Sequence, residues 1–353
     1  MNLNDLGWNT AFADAFAPYS EQGYSAGRVA LEHKHLYTVY TEQGELLAEV
    51  SGKFRYNAYE RGDYPAVGDW VALDARPAEG KGTIHAVLPR MSKFSRKTAG
   101  QTTDEQIVAA NIDTVFLVNA LNHDFNVRRI ERYLILAWES GANPVIILSK
   151  SDLCDDLYMR KEQVEAIAFG VPIHAVSSTA DIGFDELARY LQPGKTVALL
   201  GSSGAGKSSM VNRLIGREIQ KVSEIRTGDD RGRHTTTHRE LFPLQSGGIV
   251  VDTPGMREIQ LWDAEEGLSD SFRDIEELAA QCHFNDCRHE REPLCAVRAA
   301  LEAGQLDARR YANFNKMKAE LAYLARKEDT KLKLLEKERT KRLHKSLKHQ
   351  PHR

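Results

Sequence analysis

A phosphate-binding loop in the second half of the chain constrains the fold more than any other feature. The segment GSSGAGKS at residues 201–208 matches the pattern G-x-x-x-x-G-K-[ST], with the apolar run TVALL before it and the helical run MVNRLIG after it. The glycines of such a loop let backbone N–H groups face a chain of phosphates, and the following helix adds the positive end of its dipole. We expect Lys207 to reach the β- and γ-phosphates and Ser208 to bind Mg²⁺. The predicted nucleotide-binding residues are Gly201, Ser202, Ser203, Gly204, Ala205, Gly206, Lys207, Ser208 and Ser209.

Apolar strands alternate with helical segments around this loop. The runs DTVFLVNA, NPVIIL and GGIVV are largely apolar, and RRIERYLILAWES has the spacing of an amphipathic helix. Strands that are buried on both faces and alternate with helices are typical of a parallel sheet. The sequence therefore predicts an α/β nucleotide-binding domain over residues 101–262.

Two further segments fit the γ-phosphate side of the same site. VVDTPG ends an apolar strand, where Asp252 would hold Mg²⁺ through water and the Gly255 N–H would contact the γ-phosphate. The stretch RTGDDRGRHTTTHRE before it is polar and aperiodic, as expected for a loop that closes over the γ-phosphate. One of the threonines at 235–237 should bind the metal, and we favour Thr236. An ordinary exposed loop is the alternative.

A base-recognition element lies about fifty residues before the phosphate-binding loop. SKSD at 149–152 resembles the N/T-K-x-D signature for guanine, with Ser149 in the place of Asn or Thr. The Asp152 carboxylate would accept from the guanine ring N–H and from the exocyclic amine next to it, and adenine has no amine at that position. The Ser149 hydroxyl can still tie this loop to the phosphate-binding loop. VSS at 176–178 matches the element whose backbone contacts guanine O6. The predicted guanine-site residues are Ser149, Lys150, Ser151, Asp152, Ser177 and Ser178.

The order of these motifs is rotated relative to that of an ordinary GTPase. The two base-recognition elements come first, and the phosphate-binding loop, the switch loop and DTPG follow. Joining the old ends of the sheet and cutting the chain after the DTPG strand gives this order without changing the sheet. DTPG then continues directly into the C-terminal region, so we expect the nucleotide state to act on that region.

A cluster of cysteines and a histidine predicts a metal site in the C-terminal region. CHFNDCRHEREPLC places Cys282, Cys287, His289 and Cys295 in the pattern C-x4-C-x-H-x5-C. Three thiolates and one imidazole complete the tetrahedral shell of one Zn²⁺, which favours a structural site. We therefore expect a helical zinc-binding domain over residues 263–353 with little core of its own. Three unrelated thiols are the alternative.

Short alternating runs between about residues 24 and 92 predict a small β-barrel. LYTVYT and LLAEVSGKF flank a turn with a glycine, and PAVGDWVALD and GTIHAVLP are typical of further strands. About five such strands favour an OB-type barrel, which we place in residues 1–100 after a weakly helical start. Tyr56, Tyr59 and Trp70 among basic residues suggest a nucleic-acid surface, with ordinary barrel decoration as the equal alternative. These basic residues are Lys53, Arg55, Arg61, Arg90, Lys93, Arg96 and Lys97.

Charge is distributed unevenly along the chain. The formal net charge is −3, yet residues 316–353 hold 13 Lys and Arg against 5 Asp and Glu. A basic tail fits a polyanionic partner, although a solvated helix has the same composition. No apolar run reaches the roughly 18 residues of a membrane helix, and the first residues lack the pattern of a secretory signal. We therefore expect a cytoplasmic protein with no membrane partner, and a monomer.

Together these motifs resemble the circularly permuted GTPases of the RsgA (YjeQ) family. The resemblance rests on GSSGAGKSS, GRHTTTH, DTPG, the downstream Cys/His cluster and the VGDWV of the barrel, and it extends over nearly the whole chain. The family consists of bacterial factors that act in maturation of the small ribosomal subunit. It implies binding to that subunit and its rRNA, low intrinsic GTP hydrolysis, stimulation by the subunit, and release after hydrolysis. Ser149 and the lead at residues 1–23 depart from the family's pattern.

The usual motif does not supply the residue that positions the attacking water. Many GTPases carry a Gln after D-x-x-G, where this chain has Met256. We predict that His234 positions the water, with His238 as the second choice, and that Lys207, Thr236 and the Mg²⁺ of the bound GTP complete the catalytic set. Two alternatives stay open: a nucleotide-gated RNA-binding module with negligible turnover, and an ATP-using P-loop enzyme, which SKSD disfavours.

Overall fold

Two compact units make up the chain. The computed structural model describes residues 1–33, 36–97, 105–216, 239–252, 265–323 and 325–326. Residues 1–98 and 104–260 belong to the first unit, and residues 99–103 and 261–353 belong to the second. The barrel and the nucleotide-binding sheet share the first unit, and the borders proposed between three domains stay a prediction.

Five strands close into a barrel near the start of the chain. They are β1 (Ser25–His33), β2 (Leu36–Thr41), β3 (Gly44–Val50), β4 (Trp70–Arg76) and β5 (Lys81–Val87), and the short helix α2 (Gly52–Asn57) lies between β3 and β4. The strands pair in the order β1-β2-β3-β5-β4, and β4 pairs back to β1. This closed order, in which β3 runs parallel to β5, confirms the predicted OB-type barrel.

The segment before the barrel packs against it. Helix α1 (Thr10–Ser20) begins after Asn9, whose side chain accepts a hydrogen bond from the Phe12 N–H. Trp8 and Phe12 contact Trp70, and the two tryptophan rings lie 4.7 Å apart between centroids. Trp70 is completely buried in this cluster. Its predicted place on a nucleic-acid surface is therefore wrong, because its ring fills the apolar contact between α1 and the barrel.

Arg90, which was also predicted to lie on the nucleic-acid surface, has partners within the first unit instead. Its guanidinium makes two hydrogen bonds of 2.7 and 2.8 Å to the carboxylate of Asp69, which is completely buried. It also donates to the carbonyl oxygens of Gly62 and Tyr64. Burial raises the pKa of Asp69, and the bonds from Arg90 oppose that shift. A buried carboxylate needs such a partner, so Arg90 stabilises the barrel region by pairing with Asp69.

A mostly parallel sheet forms the rest of the first unit. After a two-stranded sheet of β6 (Lys93–Lys97) and β7 (Glu105–Ala110), its strands are β8 (Thr114–Ala120), β9 (Asn143–Ser149), β10 (Ile173–Val176), β11 (Thr196–Gly201), β12 (Glu240–Pro243) and β13 (Ile249–Asp252). They lie in the order β10-β9-β8-β11-β13-β12, and only β12 runs antiparallel to its neighbour within this group. The helices are α3 (Val127–Ser140), α4 (Leu157–Glu165) and α5 (Lys207–Ile215). The predicted α/β architecture is confirmed.

Strand β1 joins the barrel to this sheet. It pairs with β12 at Leu31 and Glu240, so that one 11-stranded sheet runs through both. Arg28 on β1 is buried and donates hydrogen bonds to the carbonyl oxygens of Leu6, Gly68 and Asn111. Burial lowers the pKa of Arg28 to about 10, so the guanidinium keeps its charge at neutral pH. These bonds tie the first residues, the barrel and the start of the sheet together.

Four helices form the described part of the second unit. They are α6 (Glu265–Ser271), α7 (Arg273–Ala279), α8 (Ala296–Glu302) and α9 over residues 308–323. The buried apolar side chains of these helices and their connections include Leu268, Phe272, Ile275, Val297, Leu306, Phe314, Met317 and Leu321. Arg310 stacks on Phe272 at 4.7 Å and makes two hydrogen bonds to Asp274. The unit therefore has an apolar core, contrary to the expectation that it would have little.

The structure also bears on the membrane prediction. Within the described ranges, no helix has both the length and the apolar character that crossing a bilayer requires.

Candidate nucleotide site and metal centre

The phosphate-binding loop sits at the carboxyl end of β11, in the middle of the parallel sheet. Gly201 lies so close to β8 that an added Cβ would come within 2.3 Å of the Val118 carbonyl oxygen. Gly204 and Gly206 have φ values of 71° and 90°, which other residues rarely adopt. Helix α5 then begins at Lys207. Glycine is therefore required at these positions for two different reasons. Gly201 packs closely against the neighbouring strand, and Gly204 and Gly206 have a left-handed backbone conformation.

Lys207 lies along the inside of the loop. Its ammonium nitrogen donates to the carbonyl oxygens of Gly201 and Ser202 at distances of 2.7 and 2.6 Å. A lysine ammonium is a compact charge with three donors, and these carbonyl groups hold it at the mouth of the loop. The predicted contact with β- and γ-phosphates needs only a short movement of a flexible side chain from this position.

The guanine-type loop is bonded directly to the phosphate-binding loop. The Ser149 hydroxyl, at the end of β9, donates to the Ala205 carbonyl oxygen over 2.6 Å, and Ser149 is buried. The tie expected from a serine at this position is present. Lys150 follows with φ of 57° and ψ of 40°, a left-handed conformation that turns the chain sharply after the strand.

Asp152 and the segment after β10 meet at the same end of the sheet. The Thr179 hydroxyl donates to Asp152 over 3.2 Å and lies 3.0 Å from the Ser177 hydroxyl oxygen. Hydrogen bonding from Ser177, with a smaller contribution from Thr179, lowers the pKa of Asp152. The carboxylate is therefore ionised at neutral pH and exposed, which is the state that accepts hydrogen bonds from a guanine base.

Asp252 ends β13, next to the strand that carries the phosphate-binding loop. Burial raises its pKa to about 6, while the charge of Lys207 opposes the shift and that of Glu240 adds to it. A partly buried carboxylate beside a phosphate-binding loop suits a hard divalent cation, since Mg²⁺ prefers oxygen ligands. Asp252 and Ser208 thus fit the predicted magnesium site, which would also hold GTP phosphates. Thr236 and Gly255 lie outside the described residues.

One functional contact was missed by sequence reasoning. The Ser202 hydroxyl of the phosphate-binding loop donates over 2.5 Å to Asp124, in the connection between β8 and α3. Arg129 makes two hydrogen bonds of 2.6 and 3.0 Å to the same carboxylate. Partial burial acts to raise the pKa of Asp124, but the bonds from Arg129 and Ser202 outweigh it, and the net shift is downward. No motif marks this connection in the sequence.

The four predicted zinc ligands come together in the second unit. Their ligand atoms all lie within 4.8 Å of one another. The sulfur atoms of Cys282 and Cys295 are 3.8 Å apart, and His289 Nδ1 lies 3.6 and 3.4 Å from them. A tetrahedron with Zn–S bonds of about 2.3 Å has edges of about 3.8 Å. The donor set therefore fits one closed, structural Zn²⁺ site held by Cys282, Cys287, His289 and Cys295.

Local backbone conformations bring these ligands together. His289 and Leu294 have φ values of 61° and 57°, which reverse the chain between the second and fourth ligands. Cys295 then caps helix α8, since its sulfur accepts from the Arg298 N–H at 3.5 Å. His283, next to the first cysteine, is outside the group of ligands found among the described residues.

The structure describes most of the predicted nucleotide-site residues and brings them to one end of one sheet. The phosphate-binding loop, the SKSD loop, Ser177, Ser178 and Asp252 all lie at or just after the carboxyl ends of β9, β10, β11 and β13. His234, His238, Thr236, Gly255 and Met256 lie outside the described residues. An arrangement at the carboxyl ends of parallel strands is where ligands bind in open α/β sheets.

Comparison with known families identifies two matching models. One, described as RsgA GTPase, matches residues 87–262, and the other, described as 50S ribosome-binding GTPase, matches residues 196–332. The second match starts at β11, the strand before the phosphate-binding loop, and does not include the SKSD loop. The second match therefore contains the phosphate-binding loop and DTPG, and the first contains the SKSD loop as well.

Similar proteins span nearly the whole chain. The small ribosomal subunit biogenesis GTPase RsgA of Opitutus terrae is 46% identical, with 98% of this chain and 96% of the relative covered. The small ribosomal subunit biogenesis GTPase RsgA 1 of Oceanobacillus iheyensis is 45% identical, with 97% of this chain and 98% of the relative covered.

Solved structures give the same result for the fold. The crystal structure of YjeQ from Thermotoga maritima matches with a TM-score of 0.63 at 32% identity, covering 85% of this chain and 99% of that one. The structure of YloQ, described as a circularly permuted GTPase, matches with a TM-score of 0.59 at 26% identity, covering 85% and 95%.

Proposed function

Because this chain belongs to the RsgA GTPase family, we propose that it is a GTP hydrolase of small ribosomal subunit biogenesis, which binds the subunit and its rRNA and leaves after hydrolysis. The observation that carries the nucleotide part is the bond between the guanine-type loop and the phosphate-binding loop, Ser149 to Ala205. The subunit is taken from the names of the relatives, which include small ribosomal subunit biogenesis GTPases. We also propose that it acts late in maturation, as a cytoplasmic monomer.

The proposed nucleotide contacts are those predicted from the motifs. Asp152 accepts from the guanine N–H groups, Lys150 lies along the base, and Ser177 and Ser178 face the O6 side. The residues at 201–209 wrap the phosphates, and the Gly255 N–H contacts the γ-phosphate. Ser208, Thr236 and Asp252 would hold Mg²⁺, which would neutralise phosphate charge when it is bound.

Hydrolysis is proposed to depend on Lys207 and His234. Lys207 places a positive charge against the phosphates, where negative charge develops as the bond breaks. His234 orients the attacking water, because the thioether of Met256 does not hydrogen-bond strongly enough to do so. His234→Ala should lower subunit-stimulated turnover more than tenfold and leave GTP affinity nearly intact. Unchanged turnover in this variant would remove His234 from the role.

The barrel offers a surface for rRNA on and after helix α2. Tyr56 and Tyr59 are 89% and 98% exposed, and Lys53, Arg55 and Arg61 beside them are also exposed. Exposed aromatic rings stack on unpaired bases, and the cations contact phosphates. Of the other residues of the predicted nucleic-acid face, Trp70 is buried and Arg90 is bonded to the buried Asp69. Lys93 is exposed and pairs with Glu105, and the side chains of Arg96 and Lys97 lie outside the described residues. The basic tail at residues 316–353 is proposed as a second contact.

Co-sedimentation with purified small subunits tests the binding part of the proposal. Wild type should bind with a non-hydrolysable GTP analogue and be released with GDP, and binding should weaken steeply as salt rises. The double variant Tyr56→Ala/Tyr59→Ala should lose at least tenfold in affinity, since base stacking contributes about 1–3 kcal/mol per base. Tyr158→Ala is the matched control, because Tyr158 is 74% exposed on α4, outside the barrel. Equal binding of both variants would refute the barrel surface.

A second candidate function is a nucleotide-gated RNA-binding module with negligible turnover. The observation that favours it is Met256 at the position of the usual glutamine. The same co-sedimentation would then show binding and GTP dependence, while GTP would remain intact in the presence of subunits. Measured turnover separates the two candidates.

A further inference from the structure

The connection between β8 and α3 holds a carboxylate against the phosphate-binding loop. Both oxygens of Asp124 accept from Arg129, and Oδ2 also accepts from the Ser202 hydroxyl at 2.5 Å. Hydrogen bonds between a hydroxyl and an ionised carboxylate are short and about twice as strong as neutral ones. The Asp124 N–H is itself bonded to the Asn122 side chain at 3.1 Å. The carboxylate is therefore fixed in direction before it meets the loop.

Ser202 is bonded at its side chain and at its backbone. Its hydroxyl is bonded to Asp124, and its carbonyl oxygen accepts from Lys207 Nζ at 2.6 Å. A shift of the Ser202 backbone that displaces this carbonyl would also stretch the bond from its hydroxyl to Asp124, so that bond restrains the carbonyl on which the ammonium group rests. The position of the lysine head is thus linked through one residue to Asp124 and Arg129.

The rest of the phosphate-binding loop is held in place by a hydrogen bond to the Ala205 carbonyl. Gly204 and Gly206 are in left-handed conformations, and the Ala205 carbonyl is held by Ser149. Ser202 and Ala205 are thus bonded to side chains from outside the loop, one through the β8–α3 connection and one through the guanine-type loop. The bond from Ser149 belongs to nucleotide recognition, whereas Asp124, which holds Ser202, has no part in the contacts proposed above.

We propose that Asp124, held by Arg129, is a positioning residue for GTP hydrolysis, which acts through Ser202 to place the Lys207 ammonium group. It touches no substrate and takes no proton. A lysine ammonium on a four-carbon stem is flexible, and charge stabilisation of the transferring phosphate depends on its location. This inference rests on the proposed GTP hydrolysis but not on the ribosomal partner.

The test is steady-state GTP hydrolysis without ribosomal subunits, on the full chain with Mg²⁺. Asp124→Asn and Ser202→Ala should each lower the rate constant at saturating GTP at least tenfold and change the apparent KM less than threefold. Ser202→Thr, which keeps the hydroxyl, should stay within threefold of wild type. The double variant Asp124→Asn/Ser202→Ala should be no slower than the slower single variant, because both changes act on the same bond, which Ser202→Ala removes and Asp124→Asn weakens by removing the charge.

Asp113→Asn is the matched control. Asp113 precedes β8 at its other end and ties it to β11 in the same way, through Lys195 Nζ and the Thr196 N–H at 2.9 Å each. The side chains of Asp113 and Asp124 are 35% and 33% exposed. A general loss of sheet stability would slow Asp113→Asn and Asp124→Asn alike, whereas the proposal expects only the second to be slow.

Any of three kinetic results would overturn the proposal: an Asp124→Asn rate constant within twofold of wild type, an equal loss in Asp113→Asn, or additive losses in the double variant. Failure of small subunits to stimulate turnover would contradict the proposed partner and leave this test unaffected. Equilibrium binding of GDP serves as the second readout. GDP affinity that falls as much as the rate constant in Asp124→Asn would mean that Asp124 only supports the loop structure.

Discussion

Replacing Ser149 with alanine tests how the guanine-type loop is coupled to the phosphate-binding loop. The Ser149 hydroxyl is the donor of a 2.6 Å bond to the Ala205 carbonyl, in a residue that is 3% exposed. Removing one partner of a buried hydrogen bond costs about 1–3 kcal/mol, because the other partner loses water as well as its bond. Part of this cost falls on the arrangement that binds nucleotide. We therefore expect the affinity for GDP to fall about 5- to 30-fold, or about 1–2 kcal/mol.

Calorimetric titration of GDP in the presence of Mg²⁺ measures this effect. Ser149→Thr is the matched control, since it keeps the hydroxyl and should stay within about threefold of wild type. Thermal unfolding without nucleotide shows whether each variant is folded at the titration temperature. The reasoning is refuted if folded Ser149→Ala binds GDP within twofold of wild type, or if Ser149→Thr loses as much affinity as Ser149→Ala.

Three further predictions concern the metal, a buried amide and the pH dependence of stability. Metal analysis should find one Zn²⁺ per chain. Cys295→Ser should lose the metal, and its second unit should unfold at a lower temperature, whereas Cys154→Ser should keep the metal. Retention of Zn²⁺ by Cys295→Ser, or its loss from Cys154→Ser, would contradict the site. Asn119 is 1% exposed, and neither the nitrogen nor the oxygen of its carboxamide has a hydrogen-bond partner among the described residues. Asn119→Leu should therefore raise the free energy of unfolding, measured in urea titrations, by about 1 kcal/mol. A lower free energy of unfolding in this variant would show that the carboxamide has a partner. The bond from His174 lowers the pKa of Glu186 below its usual 4.5, so the ionised carboxylate stabilises the fold above that pH and the contribution is lost as the pH falls through the lowered value. Glu186→Gln should therefore unfold with a weaker pH dependence below about pH 4.5 than wild type, and identical profiles would contradict the assignment.

The motifs that sequence analysis identified share one physical property. The phosphate-binding loop, SKSD and the Cys/His cluster each need residue types at fixed short spacings, so their chemistry is visible in a few consecutive residues. The rotated order was also visible, because it depends only on which motif comes first. The barrel was predictable from alternating strands and turn residues, and its closed order in the structure agrees.

Contacts between distant residues were not predictable in this way. Trp70 and Arg90 lie among basic residues in the sequence. In the structure, however, Trp70 is covered by Phe12 of α1, and Arg90 is hydrogen-bonded to Asp69. The bond between Ser202 and Asp124 joins residues 78 positions apart. The spacing of polar residues in a loop does not show which neighbouring loop they will meet, since that depends on how the strands are ordered in the sheet.

The most direct test of the whole account is the rate of GTP hydrolysis by the zinc-loaded protein with and without purified small ribosomal subunits, at low and moderate salt. The account predicts slow turnover by the protein alone and a large stimulation by small subunits that large subunits do not give. Tight GTP binding with no stimulation by small subunits would contradict it, and would leave a nucleotide-gated binding module with a different partner.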